Sequence, residues 1–321
     1  MLKRAAFTGM LTAAAAGRAL PAPAQVVTAK LRVGTNVADN VTDLLWAKAT
    51  GMFAKAGLDV DVEKLTSGAA VIAAVLGGSL DIGRSSLLPL ISARAHGIPV
   101  QLIAPAEMGL ADDPSGAIVT LKDSPVRTGR DLNGQTLPSP ALKDYFEITL
   151  RAWIDQNGGD SSTVKFIELP VGADLAALES GRVAAAALAN PILASVLATG
   201  KVRVIGRPNA AIGKRFLLTA WFATESLIAQ KPDALARLAS TLHQAMTYTQ
   251  AHPAEAATVT APFWGVDASI IAAMPRRPAA DALEAKDVQP LIDIAVRYGV
   301  IDKPMQAETM IAPAVPRTKS P

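Results

Sequence analysis

The sequence predicts an α/β protein of two lobes with a crevice between them. Three observations carry this expectation. Short apolar runs alternate with stretches of helical periodicity from residue 31 to residue 206, the pattern of strand–helix–strand units. Small polar clusters, Ser67-Gly68-Ala69 and Arg84-Ser85-Ser86, stand where strands end. In an open parallel sheet such loops converge on one crevice, and ligands bind there. The stretch 73–82 is echoed by 176–185, each a helix end, a glycine turn and a strand, followed by Pro89 and Pro191. One echo suits two similar lobes and is too coarse for a solenoid.

The elements follow in order. Residues 31–35 read as a strand. Residues 40–54 read as a helix, with Leu44, Leu45, Ala49, Met52 and Phe53 on one stripe and Gly57 after its end. Residues 58–63 alternate apolar and charged side chains, as a half-buried strand does. Helices are expected over 67–76, with Ser67 as cap, and over 86–95, closed by Gly97. Strands are expected over 80–83 and 100–104. Residues 108–115 read as a surface loop, 117–121 as a strand, and 122–134, with Pro125, Gly129 and Gly134, as a boundary. A second unit follows: strand 135–137, helix 142–156, strand 164–169, helix 174–179, strand 183–189, helix 191–198 and strand 202–206. Residues 216–224 form a long apolar strand. Helices 232–251, 253–261, 267–274 and 287–298 lack strands of their own and are expected to pack back onto the first lobe. The predicted division is therefore 25–121 with 217–311 as lobe I, 122–216 as lobe II, and two crossovers, near 120–123 and 217–221.

The ends are read separately. Lys3-Arg4, an apolar run over 5–17 and Ala22-Pro23-Ala24 have the form of a signal peptide over 1–24. Residues 312–321, with three prolines, read as a loose tail. Without the leader, which holds Lys3, Arg4 and Arg18 and no acid, 28 basic residues face 28 acidic ones. The basic balance of the whole chain is thus a property of the leader, and no Lys/Arg stripe with interleaved aromatics points to nucleic acid. The chain has no cysteine, so there is no lipid-anchored cysteine and no disulfide. No apolar run outside the leader is long enough to span a bilayer. The expected product is exported, soluble and periplasmic, not lipid-anchored, and a monomer.

Catalytic machinery is sparse. His96, His243 and His252 are scattered without metal-ligand spacing, and no G-x-S-x-G elbow or phosphate-binding glycine loop occurs. No catalytic residue, metal or cofactor is predicted. Asp59 and Asp61 share one strand face, as residues of a solvated edge do. Binding has better material. Ser67, Gly68 and Ala69 open a helix, and the spot serves either as an anion-friendly pocket or as an ordinary cap. Arg84, Ser85 and Ser86 repeat the arrangement, and Arg84 either holds a carboxylate or sulfonate in a forked contact or pairs with a nearby acid. Asn36, Asn40 and Thr42 follow the first strand. Ser139, Lys143 and Asp144 follow the first strand of lobe II, where Ser139-Pro140 is also a good helix start. Asn190 follows an apolar run and needs a partner. Trp221 either walls the crevice or fills a core.

These residues resemble the periplasmic substrate-binding proteins of ABC importers, in the nitrate/sulfonate/taurine group with its thiamine-precursor-binding relatives. Leu31-Arg-Val-Gly34, Gly51-Met52-Phe53, Gly57-Leu58-Asp59-Val60, Ser67-Gly68-Ala69-Ala70, Leu80-Asp81-Ile82-Gly83, Asp131-Leu132-Asn133-Gly134, Ala177-Leu178-Glu179-Ser180-Gly181-Arg182 and Asn190-Pro191 carry the likeness over 30–298. The resemblance implies a two-lobed periplasmic binding protein fold of type II, joined by two crossovers. It further implies a small anionic or heteroaromatic organic solute held between the lobes, hinge closure, and delivery to an inner-membrane ABC permease. Pro138-Ser139-Pro140-Ala141 departs from the usual glycine- or serine-rich turn, and Ala184 and Asn190 stand where acids are usual. Two rivals share the fold: an enzyme of the pyrimidine-precursor-processing type, and a sensory binding protein without transport.

Overall fold

In the computed structural model, residues 28–36 and 41–313 are described. The expected leader, Asn40 and residues 314–321 of the expected tail lie outside them. The first unit runs β1 (Ala29–Asn36), α1 (Thr42–Ala49), α2 (Met52–Lys55), β2 (Leu58–Leu65), α3 (Gly68–Leu76), β3 (Ile82–Ser86), α4 (Leu87–Ala95) and β4 (Val100–Leu110). The helix expected over 40–54 is two helices, because Gly51 between them takes a left-handed backbone, φ 70°. Only glycine adopts that region without strain.

The chain then runs β5 (Gly116–Leu121), β6 (Thr136–Ser139), α5 (Tyr145–Gln156), β7 (Lys165–Glu168), α6 (Asp174–Glu179), β8 (Ala186–Ala189), α7 (Ile192–Ala198) and β9 (Val202–Gly206). It returns through β10 (Arg215–Thr224) and ends in α8 (Glu225–Gln230), α9 (Pro232–Ala251), α10 (Pro253–Trp264), α11 (Ala268–Ala273) and α12 (Ala285–Arg297).

The main sheet has the order β2-β1-β3-β10-β4. Strands β1, β2 and β3 are parallel, and β10 lies antiparallel between β3 and β4. β10 is apolar almost throughout because both its faces are covered, with Phe216, Trp221 and Phe222 fully buried. β2 is one edge, and its alternation exposes Asp59 and Asp61. A second sheet has the order β8-β5-β9, and β6 pairs with β7 alone.

Two expectations change here. Residues 117–121 were predicted with the first lobe, yet β5 pairs with β8 and β9. The chain therefore leaves the main sheet between Leu110 and Gly116 and re-enters it at Arg215, earlier than sequence patterning placed both crossovers. Residues 108–115 are a surface loop only from Ala111 onward, where Asp112 and Pro114 are exposed. β4 continues to Leu110 because β10 pairs along it from Val100 to Leu110. Beyond it, Asp113 and Ser115 are buried. Gly109 permits this pairing, since a Cβ there would sit 2.3 Å from the Phe216 ring.

The C-terminal helices do return to the main sheet: α9 packs on α1 and β4, and α12 packs on β10 and α4. α11 also reaches α7, so one of them bridges to the second sheet. The largest apolar cluster runs from Leu87, Leu88 and Ile91 of α4 through Phe216 and Phe222 to Tyr145 and Trp153 of α5. Among the described residues, no helix is long and apolar enough to cross a membrane.

Gly83 reports how tightly β3 is enclosed. A Cβ there would meet Phe222 Cε1 at 2.4 Å and Val71 Cγ1 at 2.6 Å. Gly83→Ala is expected to cost about 1–3 kcal/mol in urea unfolding, by overpacking. A variant as stable as the parent would contradict this packing.

Candidate functional site

A cleft of about 490 Å³ opens between the main sheet and the β6–α5 segment. That volume suits a small organic molecule. One wall is the N-terminus of α3, Ser67 to Ala69, with the flank of α4 from Ser86 to His96. The opposite wall is the turn from Pro140 to Phe146. The floor includes Asn36 at the end of β1, Glu107 on β4, Thr219 on β10, and Arg277 in the link between α11 and α12.

Each wall has a local cause. Ser67 caps α3 by accepting a hydrogen bond from Ala70 N at 3.2 Å. Gly68 is required where α3 meets β3, because its Cβ would lie 2.2 Å from Ser85 Oγ. On the facing side Asp144 caps α5. Its Oδ1 accepts from Glu147 N at 3.0 Å and from Ser139 Oγ at 2.5 Å. Glu147 reaches back to accept from Lys143 N at 2.7 Å, closing a reciprocal cap. Lys143 takes the left-handed backbone, φ 58°, a strained conformation for a residue with a side chain. Its Nζ donates to the Gly299 carbonyl at 3.2 Å, which ties the turn to the end of α12.

Beneath the floor lies a buried chain of charges. Arg84 is fully buried: Nη1 donates to Asp43 Oδ1 at 2.9 Å, and Nη2 lies 3.3 Å from both Thr219 Oγ1 and Glu107 Oε2. Arg277 continues it, with Nη1 4.0 Å from Glu107 Oε2 and Nε donating to Asp113 Oδ2 at 2.7 Å. Asp113 also accepts from Ser115 N at 2.8 Å and Oγ at 2.6 Å. Burial pushes the Asp43 carboxyl up, against the pull of Arg84. Burial opposes the charge on Arg277, but Glu107 and Asp113 hold its pKa above the ordinary guanidinium value. Burial raises Asp144 to about 6, against the hydrogen bonds from Ser139 and Glu147.

Of the residues expected to form a site, Asn36, Ser67, Gly68, Ala69, Ser86 and Lys143 line this cleft. The other described ones lie elsewhere, and Asn40 is outside the described residues. Arg84 pairs with acids below the floor, the second of its two readings. Trp221 fills the core with Leu31 and Ile82, also its second reading. Ser85 is sealed behind Gly68, and Thr42 is buried at the start of α1. Ser139 is spent on Asp144. Asn190 donates to the Pro275 carbonyl at 2.9 Å and accepts from Ala194 N at 3.1 Å, beside a smaller cavity. Sequence reasoning found Asp144, which also lines the cleft, and missed Glu107, Phe146, Thr219 and Arg277. Glu107 did leave a signal, as an acid in an apolar run. Among the described residues no group of three His, Cys, Asp or Glu is placed to hold a metal.

Two measurements test this geometry. Arg84→Met leaves Asp43 and Glu107 buried without their cation and is expected to lower unfolding free energy by about 3–5 kcal/mol. A loss below about 1 kcal/mol would show that Arg84 is not sealed between them. The carboxyl carbon of Asp144 is expected to titrate near 6 by NMR. The folded chain then holds that proton more tightly than the unfolded chain. Its contribution to stability is present below the ordinary value of 3.8 and is lost as pH rises through about 6. A midpoint at or below the ordinary value would contradict its burial.

The same architecture recurs among solved structures. The alkanesulfonate-binding protein SsuA from Xanthomonas axonopodis pv. citri, bound to MOPS, superposes with a TM-score of 0.75 at 19% identity, over 90% of this chain and 99% of that one. The periplasmic nitrate-binding protein NrtA from Synechocystis PCC 6803 gives 0.70 at 15%, over 88% and 84%. An enzyme shares the fold as well: the desulfurization enzyme DszB gives 0.63 at 17%, over 89% and 96%. In sequence, a protein of Brucella abortus (strain 2308), whose name marks it as a candidate binding protein, is 24% identical over 226 residues, 69% of this chain and 67% of its own. The profile of the family described as NMT1/THI5 like matches residues 38–256, more than half of the chain. Sequence and architecture meet in one conclusion: the chain belongs to the NMT1/THI5-like family and has the periplasmic binding protein fold.

Proposed function

We propose that this protein is an extracytoplasmic receptor that captures a small organic solute in the cleft and delivers it to an ABC permease of the inner membrane. The observation that carries the reading is the cleft itself, walled by a capped helix start on one side and a strained, capped turn on the other. The main sheet with the C-terminal helices forms one lobe, and the β5–β9 unit forms the other. The crossovers at 111–115 and 207–214 act as the hinge. Asn36, Ser67, Gly68, Ala69, Ser86 and Lys143 contact the solute. Residues 1–24 direct export to the periplasm, where the protein acts as a soluble monomer.

The family resemblance implies an anionic or heteroaromatic solute. The largely apolar walls, with Ile72, Leu76, Leu142 and Phe146, favour the heteroaromatic half. Arg84, the cation that would hold an anionic solute, is paired with Asp43 and Glu107. Several contacts must act together in closure, because turning a mostly open receptor into a mostly closed one needs about 5.5 kcal/mol of preference for the closed form.

An enzymatic reading stays open because DszB shares the fold. One experiment separates the two. The mature protein is screened by thermal shift, and a stabilising solute is taken to small-angle scattering. At a hundredfold excess over Kd it adds about 2.7 kcal/mol of stability. The receptor reading expects a smaller radius of gyration with solute and recovery of that solute unchanged after long incubation. Turnover would install the enzyme. An unaltered radius at saturation would exclude hinge closure.

A further inference from the structure

We infer that the solute is an amphiphile whose elongated apolar tail lies along α3 and is gripped between Leu76 and Leu142 when the lobes close. This rests on the receptor reading above and names the chemistry of the same cleft. The helix α3 breaks a general rule. From Gly68 to Leu76 it carries no polar side chain, only Gly, Ala, Val, Ile and Leu. A helix apolar on every side belongs inside a core. Yet Ala69, Ala73 and Leu76 are exposed, and with Ile72 they form one stripe along the helix. All four line the cleft. From residue 68 to residue 76 the helix runs about 12 Å, so the stripe is long enough for a chain rather than a single methyl group.

The facing wall presents an apolar side chain of its own. Among the described residues, the large apolar side chains left exposed are Leu76, Leu142, Leu197, Val204 and Tyr248. Leu76, at 40%, and Leu142, at 54%, line the same cleft from its two walls. Leu142 is held in place: its N–H donates to Glu168 Oε1 at 3.1 Å, and beside it Lys143 takes the left-handed backbone and ties the turn to Gly299. Two leucines fixed in water on either side of a cavity mark a place where apolar matter binds. Ile98 and Val300 extend the same lining. The polar side chains on this flank are Ser92 and His96 of α4, and His96 Nδ1 lies 2.7 Å from the Ser92 carbonyl. Asn36, Ser67 and Thr219 line the cleft where α3 and α4 begin. The stripe and these polar groups belong to one cavity, so the occupant of the stripe is the tail of whatever places its polar head at the helix starts.

Chain length is the test. Butanamide, hexanamide and octanamide, and the matching carboxylates butanoate, hexanoate and octanoate, are titrated into the mature protein by calorimetry. Affinity is expected to rise about fourfold per added methylene in at least one series, the worth of a buried CH2 group. Leu142→Ser and Leu76→Ser, both at exposed positions, should weaken the octyl probe at least tenfold and the butyl probe less than twofold. Leu197→Ser, at an exposed leucine outside the cleft, should change neither. Equal affinity across the chain lengths, binding of neither series, or an equal loss in Leu197→Ser would overturn the inference. So would dimerisation of the parent protein that Leu142→Ser abolishes, which would give the face to a second copy of the chain. A short polar solute that binds and compacts the protein would leave the receptor reading intact after such a failure. A chain-length effect without compaction would keep the tail groove and remove hinge closure. If Leu76→Ser does not fold, Leu142→Ser and the series on the parent protein still decide.

Discussion

The alternation of buried carboxylates and guanidiniums, Asp43–Arg84–Glu107–Arg277–Asp113, is the constraint around which the rest is arranged. Its members come from α1, β3, β4, the α11–α12 link and the crossover after β4. A buried charge without a partner is so costly that these five segments must meet in one arrangement or not fold. Because Asp113 sits in the crossover and Glu107 opens onto the cleft, one network fixes both where the chain leaves the main sheet and what the cleft floor presents. The guanidiniums are thereby removed from service as ligand groups.

The two walls solve the same problem by different local means. Each is a helix start, where the first N–H groups have no partner within the helix. At α3 a serine caps the end and a glycine lets the helix approach β3 closely enough to seal Ser85. At α5 an aspartate caps it, a serine steadies the aspartate, and a lysine in a left-handed turn sets the angle. The first wall presents backbone donors and the second a carboxylate. The two helix starts thus face the cleft with different polar groups.

Much of the fold was legible in the sequence because its periodicities are local. The alternation of 58–65, the glycine stops at Gly57 and Gly97 and the Ser67 cap each depend on a few neighbouring residues. Pairing across long separations was not legible. β4 looked finished at residue 104 because nothing nearby shows that β10, over a hundred residues later, covers it to Leu110. Strand 117–121 looked like the last of its lobe, since its own residues do not say that β8 and β9 are its partners. The site divides in the same way. Ser67, Gly68 and Ala69 were recognisable as a helix start beside a crevice. Arg84 had its loop position in the sequence, but its partners lie 41 residues before and 23 after it, so only the folded chain could show that its charge is spent. Trp221 carried two readings and packs in the core, while Asn190 finds the partners it needs in the Pro275 carbonyl and Ala194 N.

The account turns on a solute touching both walls at once. Hydrogen–deuterium exchange on the mature protein, with and without a saturating solute found by thermal shift, measures this most directly. Protection is predicted together at 67–70 and 140–146. Protection at only one of these segments, or at neither, would contradict capture between two halves.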